Sequence, residues 1–219
     1  AFDQGNVIAG DKQQPIREIE FEVKSGELEP FFAFVADFLT HYAGKVHFYS
    51  ISKAKRGYQL AQNKTTKASD WIEQWRGFLY SEKRMQKTAE KLTALLAYEQ
   101  SLVEETLALG ANFFAADFIK TVERVGAFFN LYHYYVDNKS LLEAALNEQQ
   151  TANQHYAQEN VLNDLADANA DVLAKLHDVI RLHSETKDNA LAMNKLLVLI
   201  QTPQYAQRML YLITLTIGG

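Results

Sequence analysis

At 219 residues, 47% of them apolar, the chain is large enough for one large or two small domains with a sizeable core, which excludes a disordered chain. It has no cysteine, so a disulfide framework and a thiolate metal site are both excluded, and any bound metal must rest on carboxylates or histidines. The net charge of −5 is uneven: residues 1–76 carry 10 basic and 10 acidic side chains and residues 77–219 carry 12 and 17, so the second part lacks the basic face that nucleic acid requires.

The chain opens on Ala1 rather than methionine and inside a strand-like run, residues 2–9, so it is expected to be a piece of a longer protein. Residues 10–15, from Gly10 to Pro15, read as a separator, and residues 17–24 as a second strand. In that strand Glu18, Glu20 and Glu22 share one face while Ile19, Phe21 and Val23 share the other. An amphipathic helix follows over about 26–42, with Phe31, Phe34, Val35, Phe38 and Leu39 as its apolar stripe. Residues 45–52 read as a third strand, and Ser52-Lys53-Ala54-Lys55-Arg56-Gly57-Tyr58 forms a compact basic cluster.

The character of the chain changes near residue 62. Asn63-Lys64-Thr65-Thr66 reads as a polar linker, and from about Ser69 onward apolar residues recur at helical spacing. Phe114, Phe118, Val122, Val125, Phe129 and Tyr132 form one stripe, and Leu92, Leu95, Leu96 and Leu102 belong to another. Glycine is nearly absent between 78 and 217, which suits long helices, with breaks expected at Gly110, Asp137-Asn138 and Lys187-Asp188. The longest apolar runs, such as 196–200, are too short to span a bilayer, and nothing at the start resembles a signal peptide. A cytoplasmic protein with no membrane partner is expected.

Three carboxylates on one strand face serve as a solvated face in many sheets, but they also offer the hard oxygen ligands that divalent cations take. Basic residues nearby would then hold a phosphorylated substrate. Of the six histidines, at 41, 47, 133, 155, 177 and 183, only His177 and His183 are close in sequence, and a spacing of six suits one helical face poorly. Trp71 and Trp75, four apart, read as anchors of a short helix. There is no Gly-rich phosphate loop, nucleophile elbow or His-Glu-x-x-His run.

The order of Phe2-Asp3-Gln4-Gly5, Glu18-Ile19-Glu20-Phe21-Glu22, a helix, and Ser52 to Ala61 resembles the C-terminal half of a CYTH domain. More narrowly it resembles the bacterial inorganic triphosphatases in which a CYTH domain precedes a helical CHAD domain. The resemblance implies an antiparallel barrel around a triphosphate tunnel, with acidic strand positions holding Mg²⁺ or Mn²⁺. It makes Glu18 and Glu20 metal-holding, catalytic residues, aligns Asp3 with an acidic residue of the preceding strand, and makes Lys53 and Arg56 phosphate contacts. Glu22, on the same strand face as Glu18 and Glu20, joins the metal-ligand candidates. The implied substrate is inorganic tripolyphosphate or another triphosphate.

The family's opening strand, Glu-x-Glu-x-Lys, has no counterpart here, so half of the barrel is expected to be missing and the isolated monomer to be inactive. The open sheet edge could join two copies, which a monomeric solution mass would exclude. In the helical part, Thr121 stands where CHAD domains carry a histidine, and Phe128-Phe129 replace an Arg-Arg pair, which weakens polyphosphate binding. The expected architecture is α+β and mostly α by residue count: a partial antiparallel barrel over 1–62, a linker and short helix over 63–76, and a CHAD-like antiparallel helical bundle over 77–219. The functional expectation is a fragment of a metal-dependent inorganic triphosphatase, with a helical polyphosphate-binding or assembly module carrying a vestigial tunnel half as the alternative.

Overall fold

The computed structural model describes residues 1–42, 46–62, 67–151 and 160–217. The expected linker at 63–66, His155 and Lys45 therefore lie outside the described residues. Helices account for 73% of what is described, and the only sheet there is a two-stranded antiparallel hairpin, so the chain is α+β and mostly α.

Strand β1 (Phe2–Ala9) pairs with β2 (Lys12–Ile19) through a two-residue turn at Gly10-Asp11. Gly10 takes φ +65°, a backbone region that costs glycine nothing. The expected separator over 10–15 thus shrinks to the turn itself, and Pro15 lies inside β2 opposite Asn6. The ladder accepts it for a positional reason. Ala1 and Glu20 exchange both backbone bonds, at 2.6 and 2.9 Å. Paired positions alternate in type, so Asn6–Pro15, an odd number of steps away, is a pair that needs no N–H from proline.

The second strand ends at Ile19 rather than continuing to residue 24, with Glu20 beyond it still exchanging backbone bonds with Ala1. The expected third strand at 45–52 is also absent over its described part: residues 46–52 have no regular structure. Among the described residues no strand pairs with that run.

Helix α1 (Leu28–His41) buries Phe32, Val35 and Leu39 against Ala206 and Leu210, while Phe34 and Phe38 turn toward the Phe21 ring at 5.8 and 5.1 Å. Helix α2 (Lys53–Ala61) starts on Ser52, whose hydroxyl accepts from Lys55 N at 3.2 Å. The remaining described helices are α3 (Trp71–Glu82), α4 (Thr88–Ala115), α5 (Phe118–Asp137), α6 (Lys139–Thr151), α7 (Val161–Thr186), α8 (Asn189–Ile200) and α9 (Pro203–Thr216). Asp70, Asp117, Asp188 and Thr202 cap α3, α5, α8 and α9 through their side-chain oxygens. The breaks fall where the sequence places them. Gly110 interrupts α4 with φ +66°, Asn138 ends α5, and Lys187 closes α7 in a left-handed conformation.

The main core lies among α3 to α9, where Trp71, Leu92, Leu95, Leu102, Phe128, Leu131, Leu176 and Leu196 are buried. Trp71 and Trp75 anchor α3 onto this bundle, meeting the Tyr98 ring edge-on and tilted, at 5.2 and 5.3 Å. The centre of the bundle also contains an ion pair. Glu99 and Arg208 are fully buried and meet at 2.6 Å, and the hydroxyls of Tyr132, Tyr135 and Tyr205 donate to the same carboxylate at 2.6, 2.8 and 2.6 Å. No helix among the described residues is long and apolar enough to cross a membrane.

Candidate functional site

The hairpin register and the start of α2 together make the site. Asp3 lies directly opposite Glu18, and Glu20 is two residues further along the face of Glu18, so the three carboxylates share one side of the ladder. Helix α2 crosses that side. Gly57 faces Val7 there, close enough that a Cβ would lie in van der Waals contact, 3.5 Å from the Val7 methyl. The first residue of α2, Lys53, bonds the Asp3 carboxylate, lies 2.7 Å from Glu20 and 3.6 Å from Glu18. One turn later, Arg56 bonds Glu18.

The structure thus gathers five of the six candidate residues, Asp3, Glu18, Glu20, Lys53 and Arg56, around one ammonium and one guanidinium. Glu22 is left out. It lies past the end of the ladder, exposed, 3.9 Å from Lys24. Lys55 is exposed on the far side of α2. The opposite face of the hairpin presents apolar residues to solvent: Phe2 is 66% and Ile8 69% exposed. The half-buried face toward α2 holds Asp3, Val7, Ile16 and Glu18 and the exposed face Phe2, Ile8, Gln13 and Arg17, so charged and apolar side chains occur on both.

Arg56 is the buried member of the cluster, 7% exposed, with its guanidinium 5.3 Å from the centre of the Tyr49 ring. Its Nε is buried without an acceptor. Burial pushes the Tyr49 hydroxyl pKa up, against the opposing charge of Arg56. The hydrogen bond from Lys53 and its positive charge hold the Asp3 carboxyl below its ordinary value of 3.8, and the same bond raises Lys53.

The sign of the resulting pH dependence follows. A depressed carboxyl contributes its full stabilisation above 3.8 and loses it as the pH falls through the folded value. Acidification below about pH 4 is therefore expected to loosen the hairpin from α2, read by amide exchange in β1, and Asp3→Asn to show a smaller acid loss than the parent chain. Identical acid profiles for the two would refute the contribution of the Asp3–Lys53 pair.

The donor set suits a divalent cation chemically, since three carboxylates already surround a single positive centre, the Lys53 ammonium. Among the described residues, though, no group of three or more histidine or acidic side chains is arranged to hold a metal ion by themselves. His47 packs edge-on against Tyr49 at 6.2 Å, and four other described histidines lie away from the cluster. His41 and His133 pair with Asp37 and Asp137 at 3.6 and 2.8 Å, and His177 and His183 pack on Phe129 and Phe118. In the helical part, Thr121, Arg124 and Phe128 are buried, and Arg124 is spent on Glu105 at 2.5 Å, so that stretch of α5 is core rather than a basic surface.

Two contributors escaped the sequence reading. Tyr49, under Arg56, was hidden in a run that reads as a strand. Glu104, buried on α4, accepts the backbone N–H of Ser50, and nothing in its helical spacing distinguishes it from a solvated glutamate.

No family model matches the chain, and no solved structure matches it. A curated relative does. The inorganic triphosphatase of Haemophilus influenzae is 44% identical over 218 residues, 99% of this chain. The chain spans 59% of that relative's length.

Proposed function

We propose that this chain is the C-terminal part of a metal-dependent inorganic triphosphatase that cleaves tripolyphosphate to pyrophosphate and phosphate. The observation that carries the reading is the meeting of Asp3, Glu18 and Glu20 with Lys53 and Arg56 on one face of the hairpin, in a chain 44% identical to a protein named inorganic triphosphatase. Residues 1–62 would supply part of a CYTH tunnel and 77–219 a CHAD-like helical domain. A cytoplasmic setting is part of the same proposal.

Tripolyphosphate carries several negative charges, and cleaving it is mainly a matter of positioning and charge neutralisation. Lys53 and Arg56 would exchange their carboxylate partners for phosphate oxygens. Arg56 Nε, buried and without an acceptor, is the donor best placed to gain one. Asp3, Glu18 and Glu20, released from the cations, would hold Mg²⁺ or Mn²⁺, which supplies charge neutralisation at the phosphate oxygens and lowers the pKa of bound water. In the reaction a water oxygen bonds the terminal phosphorus, the bridging P–O bond breaks, pyrophosphate leaves with the electron pair, and the water's proton is released.

Two strands cannot enclose such a substrate, so the activity is assigned to the full product of the gene and not to this chain as a monomer. The measurement is phosphate release from tripolyphosphate with Mg²⁺ or Mn²⁺ in that full product. Glu20→Gln, which keeps the shape and removes the charge, is expected to lower the rate by about 10²-fold or more. Equal rates for the parent and Glu20→Gln would remove the acidic strand from catalysis.

A second reading, a helical polyphosphate-binding or assembly module with a vestigial tunnel half, draws on one observation. The hairpin has open edges and exposes Phe2 and Ile8, features that suit pairing with a second copy.

A further inference from the structure

The segment that carries α2 is tied to the bundle at both of its ends, and the two ties lie at consecutive positions of α4. On the incoming side, Glu104 accepts the Ser50 N–H, two residues before the Ser52 cap. On the outgoing side, Glu105 accepts from Ser69 N at 3.0 Å, Ser69 Oγ at 2.5 Å and Trp71 Nε1 at 2.9 Å, and pairs with Arg124 at 2.5 Å. Burial would raise the Glu105 carboxyl, but these donors hold it below its ordinary range.

We propose that Glu104 is a positioning residue for the proposed triphosphate site, fixing through Ser50 the helix start from which Lys53 and Arg56 reach the hairpin. The proposal rests on the triphosphatase reading for what the site binds, and on the structure alone for what Glu104 holds.

Three observations separate this role from simple packing. Glu104 is 7% exposed and forms no ion pair among the described residues, its charge acting only at longer range on His47, so that charge is a cost to folding that an apolar side chain would avoid. Its acceptor is spent on an irregular segment, whose N–H groups have no ladder or helix to satisfy them, and a carboxylate is the strongest acceptor available for such a donor. The segment it fixes is short and leads straight to the site. Tyr49, adjacent to Ser50, lies under the Arg56 guanidinium, and Ser52 caps the helix whose first residue is Lys53. A shift at Ser50 therefore moves the ring beneath Arg56 and the cap beneath Lys53 together. Misplacement of a phosphate-binding group by about an ångström is enough to cost a large factor in rate.

The test compares Glu104→Ala and Glu104→Gln in the full product of the gene, by two independent measurements. Hydrogen exchange is expected to rise in α2 and in residues 46–52 for Glu104→Ala while α7, α8 and α9 keep the parent's protection, and Glu104→Gln, which retains an acceptor, is expected to stay near the parent. Tripolyphosphate affinity is expected to fall about tenfold in Glu104→Ala and to be largely restored in Glu104→Gln. Unchanged exchange in α2 for Glu104→Ala overturns the proposal. So does a uniform loss of protection across the bundle, which marks a structural role only. Should the parent protein bind no tripolyphosphate, the triphosphatase reading falls, and exchange alone decides whether Glu104 positions α2.

Discussion

Replacing Arg208 with methionine is expected to lower the unfolding free energy by about 3–5 kcal/mol, seen as a reduced urea midpoint. The reason is the carboxylate left behind. Glu99 is fully buried and its charge is met by one cation, Arg208, at 2.6 Å; the three tyrosine hydroxyls that also donate to it carry no charge. Burial pushes the hydroxyl pKa values of those tyrosines well up, which keeps them protonated donors. The cost belongs to the unpaired charge, not to the lost arginine contacts, and a second substitution separates the two. Glu99→Gln combined with Arg208→Met keeps an acceptor for the tyrosines and removes the charge, so the double variant is expected to recover much of the loss. If it is no more stable than Arg208→Met alone, the buried charge is not what the arginine offsets.

This pair also marks where sequence reading stops. Residues 99 and 208 lie on different helices, and each looks like an ordinary surface charge in its own stretch. Helical periodicity reports which face of a helix is apolar; it says nothing about a polar group placed on that face to meet another across the core. The breaks at Gly110, Asn138 and Lys187 were legible because each rests on a local backbone preference.

Strand ends were not legible, because a strand lasts as long as its partner. Residues 20–24 alternate as well as 17–19 do, yet pairing stops where Ala1 meets Glu20. Pro15 reads as a turn and proves harmless because its missing N–H falls at a position that donates nothing. Residues 46–52 have strand composition with no strand to pair, and a glutamate 54 positions away answers one of their donors. The site was legible where it follows from local rules: the period of two that aligns Glu18 with Glu20, and the helical turn that separates Lys53 from Arg56. Glu22 obeys the same period but lies beyond the paired residues, exposed beside Lys24.

The largest functional effect is expected at Arg56. On the triphosphatase reading, Arg56→Met in the full product of the gene should reduce tripolyphosphate cleavage by about 10²–10³-fold, the scale for removing one preorganised donor from a charged transition state. Lys53→Met should cost less, because the Lys53 side chain is 35% exposed and water partly screens what it contributes, whereas that of Arg56 is 8% exposed. Lysine at 56 should restore little: the flat guanidinium is set over the Tyr49 ring and offers a fork of donors, which an ammonium cannot copy. Loss of folding is a rival explanation, since Arg56→Met leaves Glu18 without its partner. Adding Glu18→Gln removes that carboxylate charge, so a folding defect would show as a melting temperature lowered in Arg56→Met and recovered in the double variant, which is read by stability alone because Glu18 is itself assigned to the metal. Steady-state rates for Arg56→Met, Lys53→Met and Arg56→Lys, with melting temperatures for Arg56→Met and the double variant, distinguish the cases, and a stably folded Arg56→Met protein that cleaves tripolyphosphate within a few-fold of the parent would sink the assignment of this arginine to the phosphate.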